Sequence, residues 1–428
     1  NMNLNKAQIE YLTQGCTGIK NTTGQHPAGM IVVPRDKTIY DFCPIQRPAN
    51  DQNSDVLTTH FDFHSIHDTI LKLDMLGHDV PTIYHYLELY TGIPVMDVPM
   101  SDKRVMSLFT SPKELGVTSA QIGSLTGTFT LPELGTPFVR EMLIETQPKT
   151  FADLLQISGL SHGTDVWLGN AQELIKNQGL TISEVIGTRD NIMMYLIHKG
   201  MEEGRAFKIT ETVRKGLVAK GKVSEEDWNA MADDMRAVGV PEWYIESCRK
   251  IKYMFPKAHA AAYMISALRL GWYKVYKPVE YYAAYFTVRS EGLDAETIVK
   301  PVDGIKSAIA EIDAKGKDAS ANDNVKKTML QIVIEMKYRG IDFLPVDFYK
   351  SKANMYIVED GKIRLPFSSV SGIGGNAAES LEEAAKIGGF ISQDDIIQTT
   401  GVTKSVLDSL VAIGGLKNMP KSNQMSLF

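Results

Sequence analysis

The stretch Ile70-Leu-Lys-Leu-Asp-Met-Leu76 carries charged residues at alternate positions, Lys72 and Asp74. Because successive side chains of a β-strand point to opposite faces, this spacing predicts a strand with the two charges on one face and apolar residues on the other. The apolar run Met30-Ile-Val-Val-Pro34 predicts a second strand. The first hundred or so residues are therefore interpreted as mixed α/β structure.

Helical patterns dominate the rest of the chain. Apolar residues recur every three or four positions across much of 104–290, and two helices are predicted in 302–340, joined by the polar segment 313–324. The stretch from Met355 to Leu365 predicts a small hairpin around Asp360-Gly361, where glycine tolerates a positive φ. The predicted fold class is α+β and predominantly helical.

Composition places the chain among multidomain globular proteins. Of its 428 residues, 43% are hydrophobic and 22% charged, with a net charge of −6, which excludes disordered and fibrous classes. No apolar run reaches the roughly 18 residues of a membrane-spanning helix and no signal peptide is recognisable, so no membrane partner is expected. Three widely spaced cysteines suit a reducing compartment, and we predict a cytoplasmic protein. The first residue is not Met, which suggests a fragment or a processed chain.

One segment reverses the overall acidity. Between Arg249 and Arg289 lie eight basic residues and a single acidic one, Glu280, interleaved with aromatic residues. Basic side chains neutralise phosphates and aromatic rings stack on bases, so this segment suits nucleic acid or nucleotide binding. The alternative is a helical core whose aromatic residues pack inward and whose lysines are solvated.

Asp74 is the carboxylate that stands out, because it lies near the end of a predicted strand and is soon followed by Gly77-His78-Asp79. Polymerases and nucleases commonly hold Mg²⁺ with carboxylates at strand ends, since hard cations prefer oxygen ligands. The alternative is a strand-terminating residue that caps a helix starting after Pro81.

Other chemistries have less support. A histidine cluster near Asp74 could form a transition-metal site, but its spacing matches no zinc pattern and no cysteine accompanies it. The cluster comprises His60, His64, His67 and His78. A P-loop and a Gly-x-Ser-x-Gly elbow are both missing from the sequence, which argues against a P-loop ATPase and an α/β-hydrolase.

A glycine-rich segment, Val370–Leu381, has the pattern of a helix-hairpin-helix motif. Its glycines allow a sharp turn, and the helix that follows presents backbone N–H groups to a DNA phosphate without reading sequence. The predicted DNA contacts are Ser371, Gly372, Ile373, Gly374 and Gly375, with Lys404 in a weaker second copy at 400–410. The alternative is an ordinary helix start.

The chain ends in Gln424-Met-Ser-Leu-Phe428, after a polar stretch. Two large apolar residues at a terminus predict a docking peptide, with Leu427 and Phe428 filling a pocket and Gln424 fixing the register. The alternative is that these residues pack onto the surface of their own chain.

Taken together, these segments resemble the PolC-type family of bacterial replicative DNA polymerase III α subunits. The resemblance runs nearly end to end. It rests on Thr22-Thr-Gly-Gln-His-Pro-Ala-Gly29, His60-Phe-Asp-Phe-His-Ser65, Leu71-Lys-Leu-Asp-Met-Leu-Gly-His78, Gln156-Ile-Ser-Gly-Leu-Ser-His-Gly-Thr-Asp-Val-Trp167, Lys252-Tyr-Met-Phe-Pro-Lys-Ala-His-Ala260 and the terminal pentapeptide.

The resemblance implies a division into five parts. Residues 1–103 would be the C-terminal part of a palm of the nucleotidyltransferase type, similar to DNA polymerase β, and 104–300 a large helical fingers domain. A helical connector would occupy 301–350, a helix-hairpin-helix region that binds duplex DNA 351–420, and a sliding-clamp-binding tail 421–428. Histidinol-phosphatase-like and proofreading exonuclease domains would lie upstream of this chain.

The resemblance also implies roles for individual residues. Asp74 matches the third catalytic and metal-binding aspartate, whose two partners would belong to an upstream Asp-x-Asp motif, and two Mg²⁺ ions would serve nucleotidyl transfer from a dNTP to a primer 3′-OH. The other matched or inferred positions are His26, Lys72, Ser158, Ser161, His162, Arg189, Tyr253, Phe255, Lys257 and His259 for the nucleotide, and Gln424, Met425, Ser426, Leu427 and Phe428 for the clamp. Primer–template DNA, dNTP, the sliding clamp and other replisome subunits are the expected partners. The rival interpretation is a non-catalytic module that binds DNA and the clamp.

Overall fold

The computed structural model describes residues 4–19, 23–417 and 419–422. The chain forms two compact units, Asn1–His78 and Asp79–Phe428. Among the described residues, no helix is long and apolar enough to cross a membrane. The predominantly helical α+β character with a few short strands is confirmed. The division between the two compact units falls after residue 78. The predicted boundary between palm and fingers, after residue 103, stays a prediction.

The described residues of the first unit form one α-helix, two pairs of short strands and a few short 3-10 turns. The helix and strands are α1 (Lys6–Cys16), β1 (Gly29–Val32), β2 (Ile45–Gln46), β3 (Thr58–Thr59) and β4 (Leu71–Asp74). Both predicted strands are confirmed, and β1 pairs antiparallel with β4 so that Gly29 lies opposite Asp74. Strands β2 and β3 form the other antiparallel pair.

A small core supports the β1–β4 pair. Cys43, Ile66 and Ile70 are buried, and Ile31 of β1 packs against them. The opposite, apolar face of the pair is exposed, since Leu71 is 59% and Leu73 48% accessible. The alternation of β4 therefore separates Lys72 and Asp74 from its apolar residues, as the sequence predicts.

The second unit is built from helices around one large core. Its helices are α2 (Asp79–Thr91), α3 (Lys103–Ser107), α4 (Ser119–Ile122), α5 (Pro137–Thr146), α6 (Phe151–His162), α7 (Gln172–Gln178), α8 (Arg189–His198), α9 (Glu203–Arg214), α10 (Glu225–Ala237), α11 (Glu242–Lys250), α12 (Lys257–Tyr276), α13 (Pro278–Val288), α14 (Ala295–Ile298), α15 (Val302–Ala314), α16 (Ala321–Tyr338), α17 (Gly375–Ile387), α18 (Gln393–Thr399) and α19 (Lys404–Ala412). Helix α2 begins at Asp79, whereas the sequence predicts a start after Pro81.

A three-stranded sheet lies between α16 and α17 in the chain. Its strands are β5 (Phe343–Leu344), β6 (Ile357–Glu359) and β7 (Lys362–Arg364), in the order β5-β7-β6. Strand β5 runs parallel to β7, and β6 runs antiparallel to it. The predicted hairpin is confirmed, because Asp360 and Gly361 join β6 to β7 with φ values of 52° and 73°.

Helices α6 and α12 position the larger candidate site. Thr150 and Asp153 form a capping box that starts α6, and Pro256 precedes the first turn of α12. Gly159 lets α6 approach the backbone before α8, since a Cβ there would lie 2.3 Å from the carbonyl oxygen of Gly187. The close approach at Gly159 sets α6 against the start of α8, and α6 also packs against α12.

Candidate nucleotide- and DNA-binding sites

In the first unit, His26, Lys72 and Asp74 come together around Gly29. The imidazole Nδ1 of His26 accepts a hydrogen bond from the backbone N–H of Gly29 at 2.6 Å. A Cβ at Gly29 would lie 2.8 Å from that nitrogen and 2.9 Å from Cδ of Lys72, so only glycine fits between them. The amine of Lys72 lies 3.4 Å from the carboxylate of Asp74 and 4.8 Å from the ring centre of Phe63.

The Asp74 carboxylate fits one position of a magnesium site. It is an oxygen donor at a strand end, its side chain is 48% accessible, and Lys72 orients it from one side. Within the described ranges, however, no group of three or more His, Cys, Asp or Glu residues is arranged to hold a metal ion. A magnesium site that included Asp74 would need further ligands, which the described residues do not group beside it.

In the second unit, hydrogen bonds join three segments that are distant in sequence. The backbone N–H of Thr164, just after α6, donates to the carbonyl oxygen of Tyr253 at 3.0 Å. The N–H of Arg189 donates to the carbonyl oxygen of Phe255 at 3.2 Å. The carboxylate of Asp190 accepts from the N–H of Lys257 at 2.7 Å. The N-termini of α8 and α12 are thereby held next to each other.

A row of aromatic rings follows the entry into α12. Ring centres are 5.4 Å apart for Tyr253 and Phe255, 4.9 Å for Phe255 and His259, and 4.6 Å for His259 and Tyr263. Tyr253 is 42% accessible, so part of the row is open to a ligand. Exposed aromatic faces of this kind can stack on a nucleobase.

The end of α6 contributes polar groups to the same place. His162 lies edge-on to Phe255, with ring centres 5.4 Å apart. Its Nδ1 is 2.9 Å from the carbonyl oxygen of Ser158 and 2.9 Å from the hydroxyl of Ser161. The hydroxyl of Ser158 is itself buried without a hydrogen-bond partner in the described part of the chain.

Two cations lie at the adjoining helix starts. Arg189 is the first residue of α8 and Lys257 the first of α12. The side chain of Arg189 is 39% accessible, with Nε 4.0 Å from Asp190, and Lys257 is exposed. Helix N-termini carry partial positive charge, so the two adjacent termini and the two cations favour an anion, although the N–H groups of Arg189 and Lys257 are already hydrogen-bonded.

Two acidic residues at this site were missed by the sequence analysis. Glu133, from the loop between α4 and α5, places a carboxylate oxygen 3.3 Å from Nε2 of His162. Asp190 joins α8 to α12 through its bond to Lys257. No sequence pattern around Glu133 indicates its contact with His162, because the two residues are far apart along the chain. Asp190 follows Arg189 directly, and an acidic residue in a first helical turn was the only available indication.

Comparison with known proteins identifies the family. A model of the bacterial DNA polymerase III alpha subunit finger domain matches residues 79–239, one of the alpha NTPase domain matches 2–77, and a helix-hairpin-helix model matches 340–426. DNA polymerase III PolC-type from Oceanobacillus iheyensis is 52% identical over 422 residues, which are 99% of this chain and 29% of that protein. The Bacillus subtilis PolC-type enzyme is 50% identical over 428 residues, covering 100% of this chain and 29% of its own length.

The chain belongs to the PolC-type DNA polymerase III family. It spans less than a third of the length of these relatives. The family resemblance seen in the sequence is thereby confirmed.

The basic segment of this PolC-family chain is largely paired within the protein. Arg249 contacts Glu225 at 2.8 Å, and Lys252 contacts Asp165 at the same distance. Arg289 pairs with Asp79. Lys274 is fully buried, so the part of the interpretation that counted it as a charge available to phosphates is wrong. Fewer basic side chains of this segment than the sequence predicts therefore remain accessible to an anion, and Lys257 is one that does.

The helix-hairpin-helix region of the family presents an exposed turn. Ile373 is 4% accessible and anchors the turn, whereas Ser371, Gly372, Gly374 and Gly375 are exposed before and at the start of α17. Gly372 has a φ of 86°, which only glycine adopts readily, and a Cβ there would lie 3.5 Å from Ser409 of α19.

The predicted second copy, residues 400–410, comprises the turn 400–403 and most of α19. Thr403 caps α19, and Lys404 is exposed at its first turn. Gly372, in the first copy, lies close to Ser409 in the second half of α19. The predicted clamp residues Gln424, Met425, Ser426, Leu427 and Phe428 lie outside the described residues.

Proposed function

We propose that this chain is a nucleotide- and DNA-binding part of a replicative DNA polymerase and supplies one of its catalytic carboxylates. The reaction is template-directed transfer of a nucleotidyl group from a dNTP to a primer 3′-OH. The observation that carries the proposal is the joining of Arg189, Phe255 and Lys257 at two adjacent helix N-termini. A dNTP offers the matching chemistry, because its triphosphate is anionic and its base has a flat face.

Each side chain of this site has a proposed part in nucleotide binding. Arg189, Lys257 and His259 would contact the triphosphate, and Tyr253 and Phe255 would stack on the incoming nucleotide. Three residues at the end of α6 would form the floor of the pocket, namely Ser158, Ser161 and His162. His26 and Lys72 of the first unit are proposed as further nucleotide contacts.

Asp74 is proposed as a catalytic residue and a ligand of Mg²⁺. The family resemblance assigns the other two aspartates to an Asp-x-Asp motif outside this chain. Two bound Mg²⁺ ions would supply activation of the attacking hydroxyl and stabilisation of the leaving pyrophosphate. Lys72 would orient the Asp74 carboxylate through the 3.4 Å contact between them.

The C-terminal region is proposed to hold DNA and the replisome. Backbone N–H groups at the turn from Ser371 to Gly375, together with Lys404, would bind phosphates of the primer–template duplex. The pentapeptide 424–428 would bind the sliding clamp. Residues 1–103 are proposed as part of a polymerase-β-like palm, 104–300 as fingers and 301–350 as a connector.

A second candidate function is a non-catalytic module that binds DNA and the clamp. It is favoured by the single carboxylate at Asp74 and by the lack of a three-residue metal cluster among the described residues. Both functions predict the same result if this chain is tested without the rest of the polymerase, namely DNA binding without nucleotide addition.

Primer extension by the purified chain and by the complete polymerase separates the two functions. We expect the chain alone to bind primer–template duplex and to add no nucleotide, while the complete polymerase extends the primer. Template-dependent dNTP incorporation by the chain alone would contradict a catalytic site divided between this chain and other residues. Loss of Arg189 or Lys257 without effect on dNTP use by the complete enzyme would favour the non-catalytic module.

A further inference from the structure

The loop between α4 and α5 has an unusual backbone. Thr130 and Glu133 both adopt left-handed conformations, with φ values of 73° and 64°. Residues with a Cβ are disfavoured there, so the surrounding contacts must hold the loop in place. The loop carries Glu133, whose carboxylate reaches His162 in the proposed nucleotide pocket.

A buried ammonium group holds the first half of this loop. Lys274 of α12 is fully buried, and Nζ donates to the carbonyl oxygens of Gly127 at 2.9 Å and Phe129 at 2.6 Å. Its third contact is the carboxylate of Glu335 on α16, at 2.8 Å. An ammonium group has three N–H donors, and each therefore has an acceptor. Tyr282 donates to the same Glu335 oxygen at 2.6 Å.

Side-chain hydroxyls hold the loop on both sides of Glu133. Thr128 donates from Oγ1 to the carbonyl oxygen of Leu134 at 2.7 Å and contacts the hydroxyl of Thr126 at 2.8 Å. Thr130 contacts the hydroxyl of Tyr281 on α13 at 3.0 Å. A buried ion pair does not by itself show that the pair stabilises the fold. The position of Lys274 and Glu335 beside this loop therefore indicates a different role, which is to hold the loop in place.

The surroundings of His162 favour its charged form. Its Nδ1 lies 2.9 Å from the carbonyl oxygen of Ser158 and from the hydroxyl of Ser161, and Nε2 lies 3.3 Å from the carboxylate of Glu133. The carbonyl and the carboxylate can only accept hydrogen bonds, so they favour a protonated ring. The Glu133 carboxylate raises the pKa of His162 against the opposing effect of burial. The other titratable neighbour is His259, whose Nε2 lies 4.0 Å from Glu133.

We propose that Glu133 is a positioning residue that orients His162 at the nucleotide pocket, and that the buried Lys274–Glu335 pair fixes the loop carrying it. The inference rests on the proposed function, because it takes the ligand of the pocket to be a nucleoside triphosphate. A correctly oriented imidazole would fix the floor of the pocket and the edge of Phe255, next to the segment that carries Lys257. The connector helix α16 thereby supports the nucleotide pocket through Lys274.

The first test follows the titration of His162 by NMR in the 428-residue chain, without any nucleotide. We expect Glu133→Gln to lower the pKa of His162 towards the ordinary histidine value. The control Glu145→Gln removes a carboxylate that pairs with Lys176 on the surface and should leave the titration unchanged. An unchanged His162 titration in Glu133→Gln would overturn the role of Glu133, whether or not the pocket binds nucleotide.

The second test examines the buried pair. The variant Lys274→Met/Glu335→Leu removes both charges together and should change the His162 titration as Glu133→Gln does. Thr128→Val is the milder variant if that chain fails to fold, because it removes only the hydroxyl that ties the loop to Leu134. A wild-type titration in a folded form of either variant would overturn the role assigned to the loop supports.

The third test uses dGTP with the complete polymerase. Glu133→Gln should raise the KM for dGTP roughly tenfold, with a smaller change in kcat and unchanged affinity for primer–template. If the wild-type pocket does not bind dGTP, the proposed function fails while the His162 titration still reports on Glu133. If dGTP binds and the KM of Glu133→Gln equals that of Glu145→Gln, the positioning role is wrong.

Discussion

The backbone N–H of Arg189 donates to the carbonyl oxygen of Phe255 at 3.2 Å, which joins the start of α8 to the segment entering α12. This bond places a cation next to an aromatic row, and Asp190 strengthens the junction by accepting from the N–H of Lys257. Neither contact involves a side chain of a basic residue. The side chain of Lys257 is exposed and that of Arg189 is 39% accessible, with Nε 4.0 Å from Asp190, so both can reach an anion.

The role of Asp74 is tested by Asp74→Asn in the complete polymerase. The amide keeps the size of the side chain but loses the charge that binds Mg²⁺, so we expect kcat to fall roughly a hundredfold or more. Affinity for primer–template should stay nearly intact. Asp55→Asn, at an exposed position of the first unit, is the matched control. Retention of a tenth of the activity by Asp74→Asn would favour a structural role at the strand end.

The close approach of α6 to the backbone before α8 predicts a stability effect. Gly159→Ala would place a Cβ 2.3 Å from the carbonyl oxygen of Gly187. We expect the free energy of unfolding to fall by about 1–3 kcal/mol, as for other overpacked sites. Gly401→Ala is the control, because no atom lies within 4 Å of a Cβ at Gly401. Equal denaturant midpoints for the two variants would show that the packing here is looser than described.

The terminal pentapeptide can be tested separately from nucleotide addition. Two buried apolar side chains contribute about 1.5–3 kcal/mol each, offset by the ordering of a short tail, so the isolated peptide should bind a clamp with roughly micromolar affinity. Deletion of 424–428 should leave single-nucleotide addition unchanged and shorten products on a clamp-loaded template. A tail of the same composition in scrambled order is the control. Full-length products from the truncated enzyme would mean that another surface holds the clamp.

Local patterns predicted the elements that depend on near neighbours in sequence. Strands β1 and β4 follow from alternation and a short apolar run, and the β6–β7 hairpin follows from Asp360-Gly361. The motifs around His162 and Phe255 were recognised as nucleotide-binding segments, but only the structure brings the two rings to 5.4 Å. Such contacts depend on how helices pack, so the spacing of residues along the sequence does not indicate them.

Charge was the least reliable guide. The count of basic residues between Arg249 and Arg289 treats every side chain as exposed, whereas Lys274 is buried against Glu335. Its partner lies on α16, far along the chain. Glu133 was missed for a similar reason, since its left-handed backbone and its contact with His162 arise from the packing of the whole loop.

The central claim is that the joined starts of α8 and α12 bind the triphosphate of an incoming dNTP. The most direct measurement compares the KM for dNTP with the Kd for primer–template in the complete polymerase carrying Lys257→Ala. Lys317→Ala, an exposed lysine between α15 and α16, is the matched control. The account predicts a rise of roughly tenfold in KM, about 1.4 kcal/mol, with little change in Kd. Equal losses for both ligands, or none for dNTP, would contradict it.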